Sequence, residues 1–122
     1  MKFRFAHNCL FVSELDRSLK FYEEALGLTT AKVMHPSDMD ATLVFLTDGE
    51  SAHQLEIGYT PEHQGPYALG DNQFHIAFAV ENMEAAHALH EKMGVICRDP
   101  ETEPVYFIQD PDGYQIEIIP AE

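Results

Sequence analysis

The segment FAHNCLFVSELDRSLKFYEEALGL, near the start of the chain, returns in altered form as QFHIAFAVENMEAAHALHEKMGV in the second half. His7 falls on His75, Leu10 on Phe78, Val12 on Val80 and Leu15 on Met83. Each copy opens with the alternation of a strand and continues with apolar residues at helical spacing. Leu15, Leu19, Tyr22 and Leu26 share one face of the first predicted helix; Met83, Ala86, His90 and Met93 share one of the second. Ser13 and Asn82 are the expected N-caps, and Gly27 and Gly94 the expected stops. Further on, FLTDGESAHQLEIGY lies over FIQDPDGYQIEIIP, two hairpins turning at Asp48-Gly49 and Asp112-Gly113. Leu55, Glu56 and Ile57 there match Ile116, Glu117 and Ile118.

This duplication predicts an α+β chain of two pseudo-symmetric modules, each strand–helix–strand–strand–strand. Module one covers about residues 1–60 and module two about 73–122, with a linker over about 61–72. A long period repeated only twice describes one pseudo-symmetric domain and excludes a solenoid; 122 residues suit a single domain with its own core. Seven Lys and Arg against 21 Asp and Glu give a net charge of −14, which opposes non-specific nucleic-acid binding. No apolar run nears the roughly 20 residues that span a bilayer, and the first residues lack the apolar stretch of a signal peptide. The expectation is a cytoplasmic protein with no nucleic-acid or membrane partner. Cys9 and Cys97, with no CxxC, are expected as free thiols.

Strand parity sorts the chemistry. His7, Cys9 and Phe11 oppose Asn8, Leu10 and Val12; His75, Ala77 and Ala79 oppose Ile76, Phe78 and Val80. Gln54, Glu56 and Gly58 oppose Leu55 and Ile57; Gln115, Glu117 and Ile119 oppose Ile116 and Ile118. The aliphatic faces are expected under the helices, leaving each His and Glu on a cavity wall. A carboxylate within a run such as YQIEII is costly to bury unless something pairs with it. Two-fold pseudo-symmetry predicts that His7, Glu56, His75 and Glu117 converge. Two neutral imidazoles and two carboxylates suit a first-row divalent ion and cancel its charge. A single His or Glu on a strand is far more often structural or solvated; their repetition at matching positions favours a ligand set.

These residues carry a family likeness. Through FAHNCLFVSELDRSLKFYEEALGL, FHIAFAV and FIQDPDGYQIEII the chain resembles, over its whole length, the glyoxalase I (lactoylglutathione lyase) branch of the vicinal-oxygen-chelate superfamily. The resemblance implies paired βαβββ modules whose mixed sheet curls around a metal cavity. It places four metal ligands at His7, Glu56, His75 and Glu117, with nickel or zinc as the ion and cobalt as a third choice. It implies conversion of the hemithioacetal of methylglyoxal and a thiol, normally glutathione, to a lactoyl thioester through an enediolate. Glu117 is then the expected base and Glu56 the runner-up, in a homodimer. Other readings are another metal-dependent enzyme of the superfamily, epimerase or dioxygenase-like, or a non-catalytic small-molecule binder of the same fold.

The likeness has gaps. Phe11 stands where glyoxalase I commonly has an Arg that contacts glutathione, and Thr60 where it commonly has an Asn. The Lys-Gly segment that usually precedes FIQDPDGY is missing. Carboxylates are normally held by charge-assisted bonds, for which Arg98 and Lys92 are candidates, although each also reads as a surface charge. His87 and His90, three apart on a helix, read as packing rather than as a metal pair. His35, His53 and His63 read as solvated loop residues. Phe11 and Phe107 are candidate pocket residues, Tyr59 is expected in the core, and Cys9 shares the ligand face without being assigned as a nucleophile.

Overall fold

The computed structural model describes residues 1–122. The chain divides into two compact units, Met1–Tyr67 and Ala68–Glu122. In the first, β1 (His7–Phe11) leads into α1 (Leu15–Leu26), followed by β2 (Thr29–Met34), β3 (Thr42–Thr47) and β4 (Gln54–Tyr59). Strand order is β1-β4-β3-β2, with β1 parallel to β4 and the other pairs antiparallel. The second unit repeats this plan with β5 (His75–Val80), α2 (Met83–Met93), β6 (Ile96–Arg98), β7 (Tyr106–Gln109) and β8 (Gln115–Pro120). Its order is β5-β8-β7-β6, again with one parallel pair, β5 and β8. The expected α+β class and βαβββ modules are therefore present, as two open four-stranded mixed sheets.

Each sheet buries one face under its own helix. Leu10, Val44, Leu46, Leu55 and Ile57 form that face in the first unit, and Tyr106, Ile108, Ile116 and Ile118 in the second. Helix α1 packs on β4 and α2 on β8. The contact face of α1 is rotated from the expected leucine stripe: Ser18, Phe21, Tyr22 and Ala25 are buried, whereas Leu15, Leu19 and Leu26 are half-buried at its flanks. Small residues at Ser18 and Ala25 allow the helix to approach the strands closely, so the larger leucines fit at the edges.

The predicted stops hold. Gly27 and Gly94 adopt left-handed conformations at φ 69° and 71°, and their N–H groups return to the last helical carbonyls. Asn82 caps α2 by accepting from the Ala85 N–H. Ser13 does not cap α1. The N-cap is Glu14, with no side-chain cap bond, and the Ser13 hydroxyl instead accepts from the Arg17 guanidinium. Both hairpins turn through their Asp-Gly pairs, within longer loops. The Asp48 carboxylate accepts from the Glu50 and Ser51 N–H groups, and the Asp110 carboxylate from those of Asp112 and Tyr114.

Candidate metal centre

The faces turned away from the helices carry the paired His and Glu side chains. In the first unit β1 and β4 run in parallel with Cys9 opposite Glu56, which sets His7 and Glu56 side by side. His7 Nε2 lies 3.0 Å from Glu56 Oε1. In the second unit Ala77 pairs with Glu117, and His75 Nε2 lies 3.5 Å from Glu117 Oε1. Both imidazoles are edge-on to a phenylalanine two strands away, beyond the strand that carries the Glu: His7 to Phe45 at 5.1 Å and His75 to Phe107 at 5.4 Å. The two units thus build the same trio of His, Phe and Glu.

Burial divides the members of each pair. The Glu56 side chain is 10% exposed and that of Glu117 23%, while His7 and His75 stay at 45% and 43%. A carboxylate this enclosed needs a positive or hydrogen-bonding partner, and its histidine supplies one. The spacing also suits an ion: adjacent ligands about 2.1 Å from a metal stand about 3.0 Å apart at right angles and about 3.4 Å apart in a tetrahedral arrangement. Each pair therefore has the spacing of two adjacent ligands of one ion. The structure brings His7 to Glu56 and His75 to Glu117, and gathers no group of three or more His, Cys, Asp or Glu side chains that could hold a metal ion.

Neighbouring residues define what these walls can do. Partial burial and the adjacent Glu56 carboxylate push the Cys9 thiol up to about 12, so it stays protonated at neutral pH and is a poor nucleophile. Both cysteines are free. Phe11 lies over Gly58, where a Cβ would stand 2.9 Å from the ring; only glycine permits this approach. The lead-in to His75 is fixed by Asn72, in a left-handed conformation, whose Nδ2 donates to the Gly113 carbonyl in the β7–β8 turn.

The other candidates resolve as follows. His90 is buried with Nδ1 2.7 Å from the Tyr106 hydroxyl, as expected of a packing residue. His87 pairs with Asp99 at 2.7 Å, so the two helical histidines do not share a ligand. His63 stacks on Tyr67 at 3.6 Å, and His53 bonds Asn8 at 2.8 Å. Tyr59 is half-buried rather than fully in the core. Lys92 sits in the last turn of α2, whereas Arg98 lies beyond the helix, on β6. Lys32 and the aromatic backing of each histidine by Phe45 and Phe107 escaped sequence reasoning. The available signal was a cation shortly after each helix-ending glycine, Lys32 after Gly27 and Arg98 after Gly94.

The paired βαβββ units are the fold of the vicinal-oxygen-chelate proteins. The chain belongs to the Glyoxalase/Bleomycin resistance protein/Dioxygenase superfamily, whose profile it matches over residues 4–118. It is 35% identical to the lactoylglutathione lyase of Haemophilus influenzae, over 93% of this chain and 89% of that one. To the lactoylglutathione lyase of Escherichia coli O157:H7 it is 31% identical, over 95% and 91%. Among solved structures it is similar to the trypanothione-dependent glyoxalase I of Leishmania major, with TM-score 0.84 and 33% identity over 98% of this chain and 87% of that one. The chain is thus a lactoylglutathione lyase-like enzyme of glyoxalase I type. No helix is long and apolar enough to cross a membrane.

Proposed function

We propose that His7, Glu56, His75 and Glu117 together hold one divalent ion, nickel, zinc or cobalt, and that the protein converts the hemithioacetal of methylglyoxal and a thiol to a lactoyl thioester. The observation that carries this reading is the repeated His–Glu pair, spaced as adjacent ligands in both units. The ion, when bound, supplies Lewis acidity and a template for the two vicinal oxygens of the substrate.

The chain supplies the proton transfer. Glu117 removes the proton from C1 and returns it to C2, as a carboxylate can when held within reach of both carbons. Glu117 is favoured over Glu56 because it is less enclosed and 0.5 Å farther from its histidine, leaving it freer to move between ligand and base. His7, His75 and Glu56 remain as the fixed part of the set. Phe45 and Phe107 limit the motion of the imidazoles. Glutathione as the thiol belongs to the same reading, supported by the relatives named lactoylglutathione lyase; a cytoplasmic location, in keeping with two free cysteines, and a homodimer complete it.

Calorimetric titration of the metal-stripped protein with nickel or zinc tests the ligand set. One ion per His7/Glu56/His75/Glu117 set is expected, weakened by at least tenfold in either His7→Ala or His75→Ala. Two independent ions, one for each pair, would overturn the shared site. The occurrence of Phe11 and Thr60 in place of common glutathione contacts favours one alternative, a binder without turnover. That alternative requires tight ligand binding by the metal-free protein.

A further inference from the structure

Register extends each ligand wall by one more residue. Across the first sheet, Lys32 on β2 pairs with Phe45 on β3, which pairs with Glu56 on β4. Across the second, Arg98 on β6 pairs with Phe107 on β7, which pairs with Glu117 on β8. Both units therefore repeat a row of cation, aromatic ring and carboxylate. Lys32 Nζ rests 4.5 Å from the Phe45 ring centre and Arg98 Cζ 5.4 Å from that of Phe107, within cation–π range.

A backbone irregularity aims each cation. The β2–β3 register shifts between Thr30 and Lys32, and the β6–β7 register between Ile96 and Arg98. One extra residue, Ala31 or Cys97, is accommodated at each shift. Without it, strand alternation would set Ala31 opposite Phe45 and Cys97 opposite Phe107. Bulges of this kind redirect side chains, and here both turn a cation onto the face of the His–Glu pair.

Charge gives the rows a purpose. In a chain of net charge −14, three of the seven Lys and Arg residues, Lys2, Arg4 and Lys32, line a cavity of about 550 Å³ that also includes His7 and has no acidic residue in its wall. In the second unit a cavity of about 300 Å³ holds Arg98 and His75, again without an acidic wall residue. Arg17 and Lys20, on the outer face of α1, pair with Glu14 and Glu24. Lys32 and Arg98 rest on rings instead, leaving their charge available to a ligand.

We propose that Lys32 and Arg98 are substrate-positioning residues that receive carboxylates of the thiol portion, restricting the enzyme to anionic thiol adducts. In each row the cation stands two strand spacings from the Glu, about 10 Å between backbones. That is too far for a direct ion pair and long enough for a peptide-sized thiol to reach from reacting carbon to carboxylate. The inference rests on the thiol-adduct chemistry above, while adding residues that replace the contacts absent at Phe11 and Thr60.

The test is calorimetric binding of S-methylglutathione and its diethyl ester to the metal-loaded protein, with turnover measured in parallel. The wild type should bind the diacid at least tenfold more tightly than the diester. Lys32→Gln and Arg98→Gln should each weaken the diacid about tenfold and leave the diester unchanged, raising KM with little change in kcat; Lys32→Arg should recover most of the loss. Lys20→Gln, on the far side of its unit, serves as the folded charge control. Equal binding of diacid and diester by the wild type, or equal losses for both in the variants, would overturn the inference. Charge-selective binding without turnover would uphold the anchors while rejecting the proposed reaction; turnover indifferent to both substitutions would do the reverse.

Discussion

Tyr106 shows how much one buried side chain holds in place. It is 2% exposed, its hydroxyl meets His90 Nδ1, and its ring takes the edge of His87 at 4.9 Å. Burial, with the Asp99 carboxylate nearby, pushes its phenol up to about 12. Unfolded tyrosine ionises near pH ~10. The folded state therefore keeps the proton longer, and the stabilisation present below that pH is lost as pH rises from about 10 towards 12. A tyrosinate absorbance titration should show Tyr106 ionising late in the folded protein, towards pH about 12. Tyr106→Phe should remove that late step, flatten the alkaline loss of stability, and cost about 1 kcal/mol at neutral pH through the lost hydrogen bond. A titration unchanged in the variant would contradict this account.

Among the elements, the two helices offer an internal comparison. Asn82 caps α2 through a real side-chain bond, whereas Ser13 lies before the N-cap of α1 and is engaged by Arg17. Asn82→Ala should lower stability by about 1 kcal/mol in urea unfolding, while Ser13→Ala should change it by less than about 0.5 kcal/mol. Equal costs would show that the cap assignment is wrong. The reason Ser13 misled is physical: both Ser13 and Glu14 precede the apolar stripe, and capping preference alone selects the serine. The repeat register sets Leu15 on Met83, and hence Glu14 on Asn82, in agreement with the observed helix start. The rotated face of α1 has a similar origin. Periodicity finds large apolar residues, but close packing on a sheet favours Ser18 and Ala25, which hydrophobicity ranks low. Strand parity was more reliable, because one buried face fixes the direction of every alternate residue; His7, Glu56, His75 and Glu117 all fall on the side it predicted. Lys32 escaped it since a bulge breaks the alternation that parity assumes, and Arg98, beside a matching bulge, was a candidate by its charge and not by parity.

At the scale of the whole molecule, duplication is the organising fact. One βαβββ unit brings together only one imidazole and one carboxylate, which is too few for a tightly held first-row ion. Repeating the unit doubles the set: each half carries one His–Glu pair, His7–Glu56 at 3.0 Å and His75–Glu117 at 3.5 Å, and the proposed function draws on both. The halves also differ: Glu117 is more exposed and stands farther from its histidine than Glu56, which is why the proposal gives it the role of base. The measurement that tests this most directly is thioester formation from methylglyoxal and glutathione, with metal-stripped protein reloaded separately with nickel, cobalt and zinc and compared with Glu117→Gln. Expected are no turnover without metal, turnover restored by at least one of the three ions, and a loss of at least a thousandfold in kcat in Glu117→Gln with the ion still bound. Turnover by the metal-free protein, or a fully active Glu117→Gln, would contradict it.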